Sequence, residues 1–368
     1  MYRKPLLQLA GMPAAAQNFP DEGGLIEDVG VDLNLFQCSG CGLVQLDSAP
    51  VDYYKDVIRA SAYSEEMRDF RLSQFKTLVE THDLQGKKVL ELGCGQGEYL
   101  VLMAQAGVDA FGLEHRQESV DICRAAGLKV SQGYPDLADM ALAHGPFDAF
   151  FILNFFEHLP EPGLALDIMR NNLVDEGLGL IEVPNFEAIV DKKLFSEFVN
   201  DHLFYFTRET LTRTLELNGF EVLSVDVIWY DYILTAVVRK RAAIDLKDMI
   251  EYRDRISTEL GSYLDLHVGK TRAIWGAGHQ ALAVIALAEL AGKIDLVVDS
   301  ATFKQGRFTP ATHIPIKAPS AVKTDSVEVI IVMAAAYSDE VVRIIDEQFP
   351  ELRHLAILRD YGLEFIRE

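Results

Sequence analysis

Lys88-Val-Leu-Glu-Leu-Gly-Cys-Gly-Gln-Gly-Glu-Tyr-Leu100 constrains this chain more than any other stretch. Val89 to Leu92 reads as a buried strand. Gly93, Gly95 and Gly97 form a turn, and a helix starts near Glu98 and runs through Leu100, Val101 and Met103. A strand, a glycine turn and a helix in that order open a doubly wound α/β sheet, where ligands bind at the carboxyl ends of the strands. The glycines let the backbone take torsions closed to other residues and pass close to a ligand.

Dinucleotide enzymes share such a turn, so the acids around it decide the ligand. Glu91 stands two places before the first glycine. Its carboxylate would repel a pyrophosphate but suits a cationic ligand with an amino group, and S-adenosylmethionine (SAM) is such a ligand. Glu114 ends the next strand, Ala110–Glu114, about 20 residues on, where ribose hydroxyls are normally held. This pair of acids around E-x-G-x-G-x-G resembles class I SAM-dependent methyltransferases. The resemblance implies SAM contacts from Glu91, Gly93, Cys94, Gly95, Gly97 and Glu114.

Strand and helix patterns alternate from Gly86 to about Arg241. Further strands are expected at Lys129–Ser131, Phe147–Leu153, Leu178–Val183, Phe220–Val225 and Tyr232–Val238. Phe147–Leu153 is apolar throughout, as suits burial on both faces. It runs into Asn154-Phe-Phe-Glu-His-Leu-Pro160, which resembles the "EHL" segment after strand four in many class I methyltransferases. By that likeness Asn154 or Phe155 lines the SAM pocket, and Glu157 and His158 start the next helix. His158 reads as part of the substrate or cofactor surroundings. Ahead of the first strand, Ser64 starts a helix that runs to His82, and such a helix commonly covers the SAM pocket. Tyr54, Arg59 and Arg68 are in reach of the cofactor on this reading. His202 is the best base candidate, because the neighbouring Asp201 carboxylate would raise its basicity and orient its ring.

At 368 residues the chain has room for two or three domains. The boundaries fall at 1–52, 53–241 and 242–368. The first segment carries Cys38-Ser-Gly-Cys41, the shape of a zinc knuckle. A structural zinc wants four ligands and no second C-x-x-C exists, so no metal is assigned. A net charge of −22 would repel a long polyanion, which excludes nucleic acid as a partner. No apolar run reaches the ~18 residues that span a bilayer, so no membrane partner is expected. The N-terminal apolar stretch is too short and broken for a signal peptide. Four cysteines make no disulfide framework and point to a reducing, cytoplasmic setting.

The third segment opens with a helix, Asp245 to about Leu266, then a second glycine turn. Gly276, Gly278 and Ala281 fit G-x-G-x-x-A, and Asp299 ends the following strand at the dinucleotide offset. Alone, this predicts NAD binding and an oxidoreductase. Together with Lys304-Gln-Gly-Arg307, His313-Ile-Pro-Ile316, the knuckle and the SAM motif, it resembles the sugar C-methyltransferases that act on nucleotide-linked keto-deoxysugars. The fold class implied is α/β: a Rossmann-like SAM methyltransferase domain followed by a smaller Rossmann-like α/β domain. The resemblance implies a small-molecule substrate, a nucleotide-sugar, with His202 and Asp201 at the reacting carbon. His158, Gly276, Gly278, Lys304 and Arg307 would face the substrate, unless the glycine turn is structural. That family's Tyr-His-Glu-His segment is here Val199-Asn-Asp-His202, and one of its zinc-ligand pairs is missing. Two other readings stand beside this one: an O- or N-methyltransferase of another small molecule, and a non-catalytic nucleotide-binding or assembly protein.

Overall fold

The computed structural model describes residues 2–56 and 64–368. Arg59 lies outside them. The chain divides into two compact units, Met1–Ala243 and Ile244–Glu368.

The first unit begins with β1 (Leu7–Met12), β2 (Val31–Gln37) and β3 (Val44–Leu46). It continues through α1 (Glu65–Thr81), β4 (Lys88–Leu92), α2 (Glu98–Ala106), β5 (Asp109–Glu114), α3 (Gln117–Ala125), β6 (Lys129–Gln132) and β7 (Phe147–Leu153). Then come α4 (Pro162–Asn171), β8 (Leu173–Pro184), α5 (Phe186–Asp191), β9 (Phe204–Tyr205), α6 (Arg208–Leu217), β10 (Phe220–Ile228) and β11 (Ile233–Lys240). The main sheet has the order β10-β11-β8-β7-β4-β5-β6. Its strands are parallel from β8 to β6, and β11 is antiparallel to both its neighbours. Strand order reverses between β4 and β7, so their carboxyl ends flank the crevice where a doubly wound sheet binds ligand.

Side-chain alternation buries both faces. Leu90, Leu92, Phe150 and Ile152 enter one core, and Val89, Ala149, Phe151 and Leu153 enter the other. Ser64 caps α1 by accepting from the Met67 N–H at 3.2 Å. Thr207 and Thr210 form a reciprocal capping box at α6. Two boundaries differ from expectation. Glu157 and His158 lie in a single short turn, Phe156–His158, and the following helix waits until Pro162. β8 begins at Leu173 because its first residue pairs with Phe147 before the register shifts to Ala149 opposite Leu178.

The knuckle segment is more than a turn. β1, β2 and β3 form an antiparallel sheet whose fourth strand, β9, comes from the loop after β8. In the second unit α7 (Lys247–Leu266) precedes β12 (Arg272–Trp275), α8 (His279–Leu287), β13 (Leu296–Val298), β14 (Ile316–Lys317), β15 (Val329–Val332), β16 (His354–Arg359) and β17 (Gly362–Arg367). Its sheet, β14-β13-β12-β15-β16-β17, is parallel except at β17. No described helix is long and apolar enough to cross a membrane.

Candidate active site

The turn after β4 is held by its neighbours. The Gly93 N–H donates to the Leu113 carbonyl at 2.9 Å, and the Gly95 N–H donates to Glu114 Oε2 at 2.9 Å. Glu114 Oε1 accepts from the Arg116 N–H at 2.9 Å. Each carboxylate oxygen thus takes one backbone donor and keeps acceptor capacity for a ribose hydroxyl. Burial raises the Glu114 pKa against the pull of those backbone donors. Glu91 is fully buried at the end of β4. Gly93, Gly95 and Gly97 all have positive φ, +69°, +57° and +86°, which only glycine adopts freely. At Gly97 a Cβ would also lie 2.4 Å from Leu128 Cδ1. We expect Gly97→Ala to cost about 1–3 kcal/mol and to weaken SAM binding, as thermal unfolding with and without SAM would show.

The turn fits SAM: glycine backbone on one side, the buried Glu91 behind it, and opposite them Glu114, which has acceptor capacity left for a ribose hydroxyl. Asn154 follows β7 with φ +50° and donates its N–H to the Glu182 carbonyl. Phe155, beside it, is buried. Tyr54 packs edge-on against Tyr134, ring centroids 5.7 Å apart, and Lys55 pairs with Asp136 at 2.7 Å. Both contacts bring the segment before α1 to the loop after β6. The Cys94 side chain turns inward, within 3.9 Å of the Gly95 carbonyl and buried, which leaves only its backbone on the turn. Arg68 stays exposed on α1. Arg71, one turn on, is fully buried and reaches Glu182 of β8 at 2.5 Å. Gln74 bridges the two, accepting from Arg71 at 2.8 Å and donating to Glu182 at 2.6 Å.

A second cluster stands beyond β7. The His158 and His202 rings meet edge-on, centroids 4.8 Å apart. His158 Nδ1 donates to the Asp201 carbonyl at 2.8 Å. Glu157 is 1% exposed, and burial pushes its pKa up to about 8. The His202 loop is zipped in place. Its Leu203 N–H donates to the Glu157 carbonyl, and its Leu203 carbonyl accepts from Leu46 of β3, both at 3.0 Å.

Here the structure corrects the sequence reading. The Asp201 carboxylate does not serve His202. Its Oδ1 accepts from the Tyr53 hydroxyl at 2.6 Å, and its Oδ2 accepts from the Ala16 N–H at 2.9 Å. His202 basicity is not raised. Burial, helped by the His158 ring, lowers its pKa to about 3. Tyr53, which the sequence reading passed over for Tyr54, is the residue that meets Asp201. Burial and the Asp201 bond push its pKa up to about 12, so it stays a donor.

Cys38 and Cys41 face a tight turn in which the Gly42 N–H donates to the Cys38 carbonyl. The backbone N–H groups of Cys41 and Gly40 lower the Cys38 pKa.

In the second unit, Gly276 has φ +117°, and a Cβ there would lie 2.6 Å from the Met333 carbonyl oxygen. Close packing therefore requires this glycine, whatever binds. Asp299, the ribose acid on the dinucleotide reading, is already engaged. It accepts from the Ala277 N–H at 2.7 Å, the Ala301 N–H at 2.8 Å and Lys304 Nζ at 2.9 Å. Lys304 is thereby turned onto Asp299. Gly278 opens α8 with free space around it, and Arg307 is exposed. Burial raises the Asp299 pKa, but the Lys304 and backbone bonds outweigh it and the net shift is downward. The stabilisation is therefore present above the unfolded carboxylate range and is lost as pH falls through the lower folded value. Asp299→Asn should cost about 1.5–3 kcal/mol at pH 7 and flatten the acid limb of thermal unfolding.

Comparison with known proteins bears on both units. A family described as "Methyltransferase domain" matches residues 60–225. One described as "C-methyltransferase C-terminal domain" matches residues 248–350. The chain is 23% identical over 287 residues to the C-methyltransferase NovU of Streptomyces niveus, covering 70% of this chain and 68% of that protein. It is 36% identical over 84 residues to a ubiquinone biosynthesis O-methyltransferase of Bordetella avium, covering 22% of this chain and 35% of that enzyme. Among solved structures, a Listeria monocytogenes protein described as a putative S-adenosylmethionine-dependent methyltransferase aligns with 47% of this chain and 98% of its own. The identity there is 16% and the TM-score 0.38.

Proposed function

The chain is a SAM-dependent methyltransferase, and we propose that it methylates a small molecule, a nucleotide-linked ketosugar, at carbon. The methyltransferase descriptions favour this activity over the oxidoreductase and assembly readings. Methylation at carbon is supported by the C-methyltransferase description of the second unit's family and of the NovU relative, and the sugar acceptor rests on the sequence resemblance. The observation that carries the chemistry is the meeting of His202 and His158 at 4.8 Å, on a loop anchored at Glu157 and β3.

When bound, SAM supplies an electrophilic methyl on a cationic sulfur. Glu91, Glu114 and the Gly93–Gly97 backbone would hold it, with Asn154, Phe155 and Tyr54 around it. His202 removes the proton α to the acceptor carbonyl. With its pKa near 3 it is unprotonated at neutral pH, as a base must be. The enolate charge that forms beside it then favours the imidazolium. His158 is held by Asp201, and Asp201 in turn by Tyr53 and Ala16, which supports the loop that carries His202. Within the second unit, taken by itself, the Gly276–Gly278 turn and Arg307 are proposed to contact a phosphate group, and Lys304 would have to leave Asp299 to join them.

The test is incubation with methyl-labelled SAM and a panel of nucleotide-ketosugars, other sugars, phenols and amines, read by mass spectrometry. Label on a carbon of a ketosugar supports the proposal. Label confined to an oxygen or nitrogen acceptor overturns it in favour of an O- or N-methyltransferase.

A further inference from the structure

Glu157, His158 and His202 each bring one donor atom to a point where all three lie within 4.8 Å of one another. Their hydrogen bonding leaves the cluster unsatisfied. The His158 partner at Nδ1 is a carbonyl oxygen, which only accepts, so Nδ1 carries the proton. In a neutral ring that leaves Nε2 as a bare lone pair. Glu157 Oε1 lies 3.8 Å from His158 Nε2, beyond hydrogen-bond reach. Glu157 Oε2 is buried with no hydrogen-bond partner among the described residues. Buried polar groups are normally paired, and here Glu157 and the His158 Nε2 approach one another without a hydrogen bond between them.

We propose that Glu157, His158 Nε2 and a ring nitrogen of His202 form a binding site for a divalent transition-metal cation of the zinc class, with a fourth position open. Two imidazoles and one carboxylate are a zinc-type donor set, whereas magnesium and calcium favour oxygen alone. The Asp201 carbonyl on Nδ1 is the outer-shell acceptor that metal-bound histidines usually have. Metal–ligand bonds of about 2.0–2.2 Å put tetrahedral donors roughly 3.3 Å apart. The cluster therefore closes by up to about 1.5 Å on loading, a shift within reach of side-chain rotation at the half-buried His202. A cation on His202 occupies the lone pair that proton removal needs. Loading then shuts off base-dependent methyl transfer, a consequence that rests on the base assignment above; the binding does not.

Cobalt(II) is the probe, because its spectrum separates this site from the Cys38 and Cys41 thiols. Nitrogen- and oxygen-bound cobalt gives weak visible bands, and thiolate-bound cobalt adds strong near-ultraviolet charge transfer. The full chain should bind one equivalent with visible bands and no accompanying thiolate band. His202→Ala should weaken that binding by more than the ~10–100-fold that outer-shell changes cost, with the circular dichroism unchanged. Glu157→Gln should do the same, and His158→Gln serves if the buried Glu157 variant fails to fold. Absence of cobalt and zinc binding overturns the proposal. So does binding that carries only the thiolate band and survives His202→Ala. In a second arm, zinc should abolish turnover and a chelator restore it. Undiminished turnover in zinc-loaded protein would leave the site standing and remove His202 as the base.

Discussion

Arg71→Met should destabilise the first unit by about 3–5 kcal/mol, the usual cost of removing one partner of a buried ion pair. Arg71 and Glu182 are both fully buried and 2.5 Å apart, so the variant strands a carboxylate in the core. At about 2–4 °C per kcal/mol for a unit of this size, the fall in Tm is large enough to read by calorimetry. The double variant Arg71→Met/Glu182→Leu should recover most of the loss, because it removes the stranded charge as well. If the single variant is as stable as the parent, the clamp has no energetic role. A functional effect should accompany the structural one. The clamp fixes α1 against β8, and Tyr54 and Lys55, earlier in the chain, contact the loop after β6. SAM binding should weaken in the single variant even at temperatures where it stays folded.

His202→Ala should lower kcat by about 10²–10⁴-fold, the range for losing a positioned base, with the SAM Kd little changed. The assay belongs in chelator, so that loss of a base and loss of a metal ligand are not confused. Asp201→Asn probes the support. It keeps the backbone carbonyl that holds His158 but weakens the Tyr53 and Ala16 contacts. A smaller fall in kcat, rescued by Asp201→Glu, would mark a positioning residue. Near-normal turnover in His202→Ala with SAM still bound would remove the base assignment.

The nucleotide-binding core was legible because its signals are local. Phe147–Leu153 reads as a strand from seven consecutive residues, and those are its observed bounds. Glu91 and Glu114 follow from their spacing around one turn. The cluster around His158 and His202 was legible only in part. His202 and His158 stand out as residue types, but the partners of Asp201 lie 185 and 148 residues away in sequence. No local pattern announces such pairs, and reading Asp201 as the neighbour of His202 mistook chain adjacency for side-chain direction. Arg71 did leave a trace. It sits four residues before Phe75 and eight before Val79, on the buried stripe of α1. A charge on that stripe signals a buried partner, and the sequence reading, which placed Arg59 and Arg68 in reach of the cofactor, did not single out Arg71. The N-terminal sheet was hidden for another reason. Its fourth strand is two residues long and pairs across more than 150 positions.

That short strand has a consequence for anyone making hybrids of this protein with a relative. Val44 and Gln45 pair with Tyr205 and Phe204, and Ala14 and Ala16 hold Asn200 and Asp201. The leading fifty or so residues and the stretch from Val199 to Phe206 are thus two halves of one clasp. A chimera that imports the N-terminal piece alone would splice mismatched halves and leave the His202 loop held by its Glu157 and His158 contacts. Exchanging both halves together should preserve the fit.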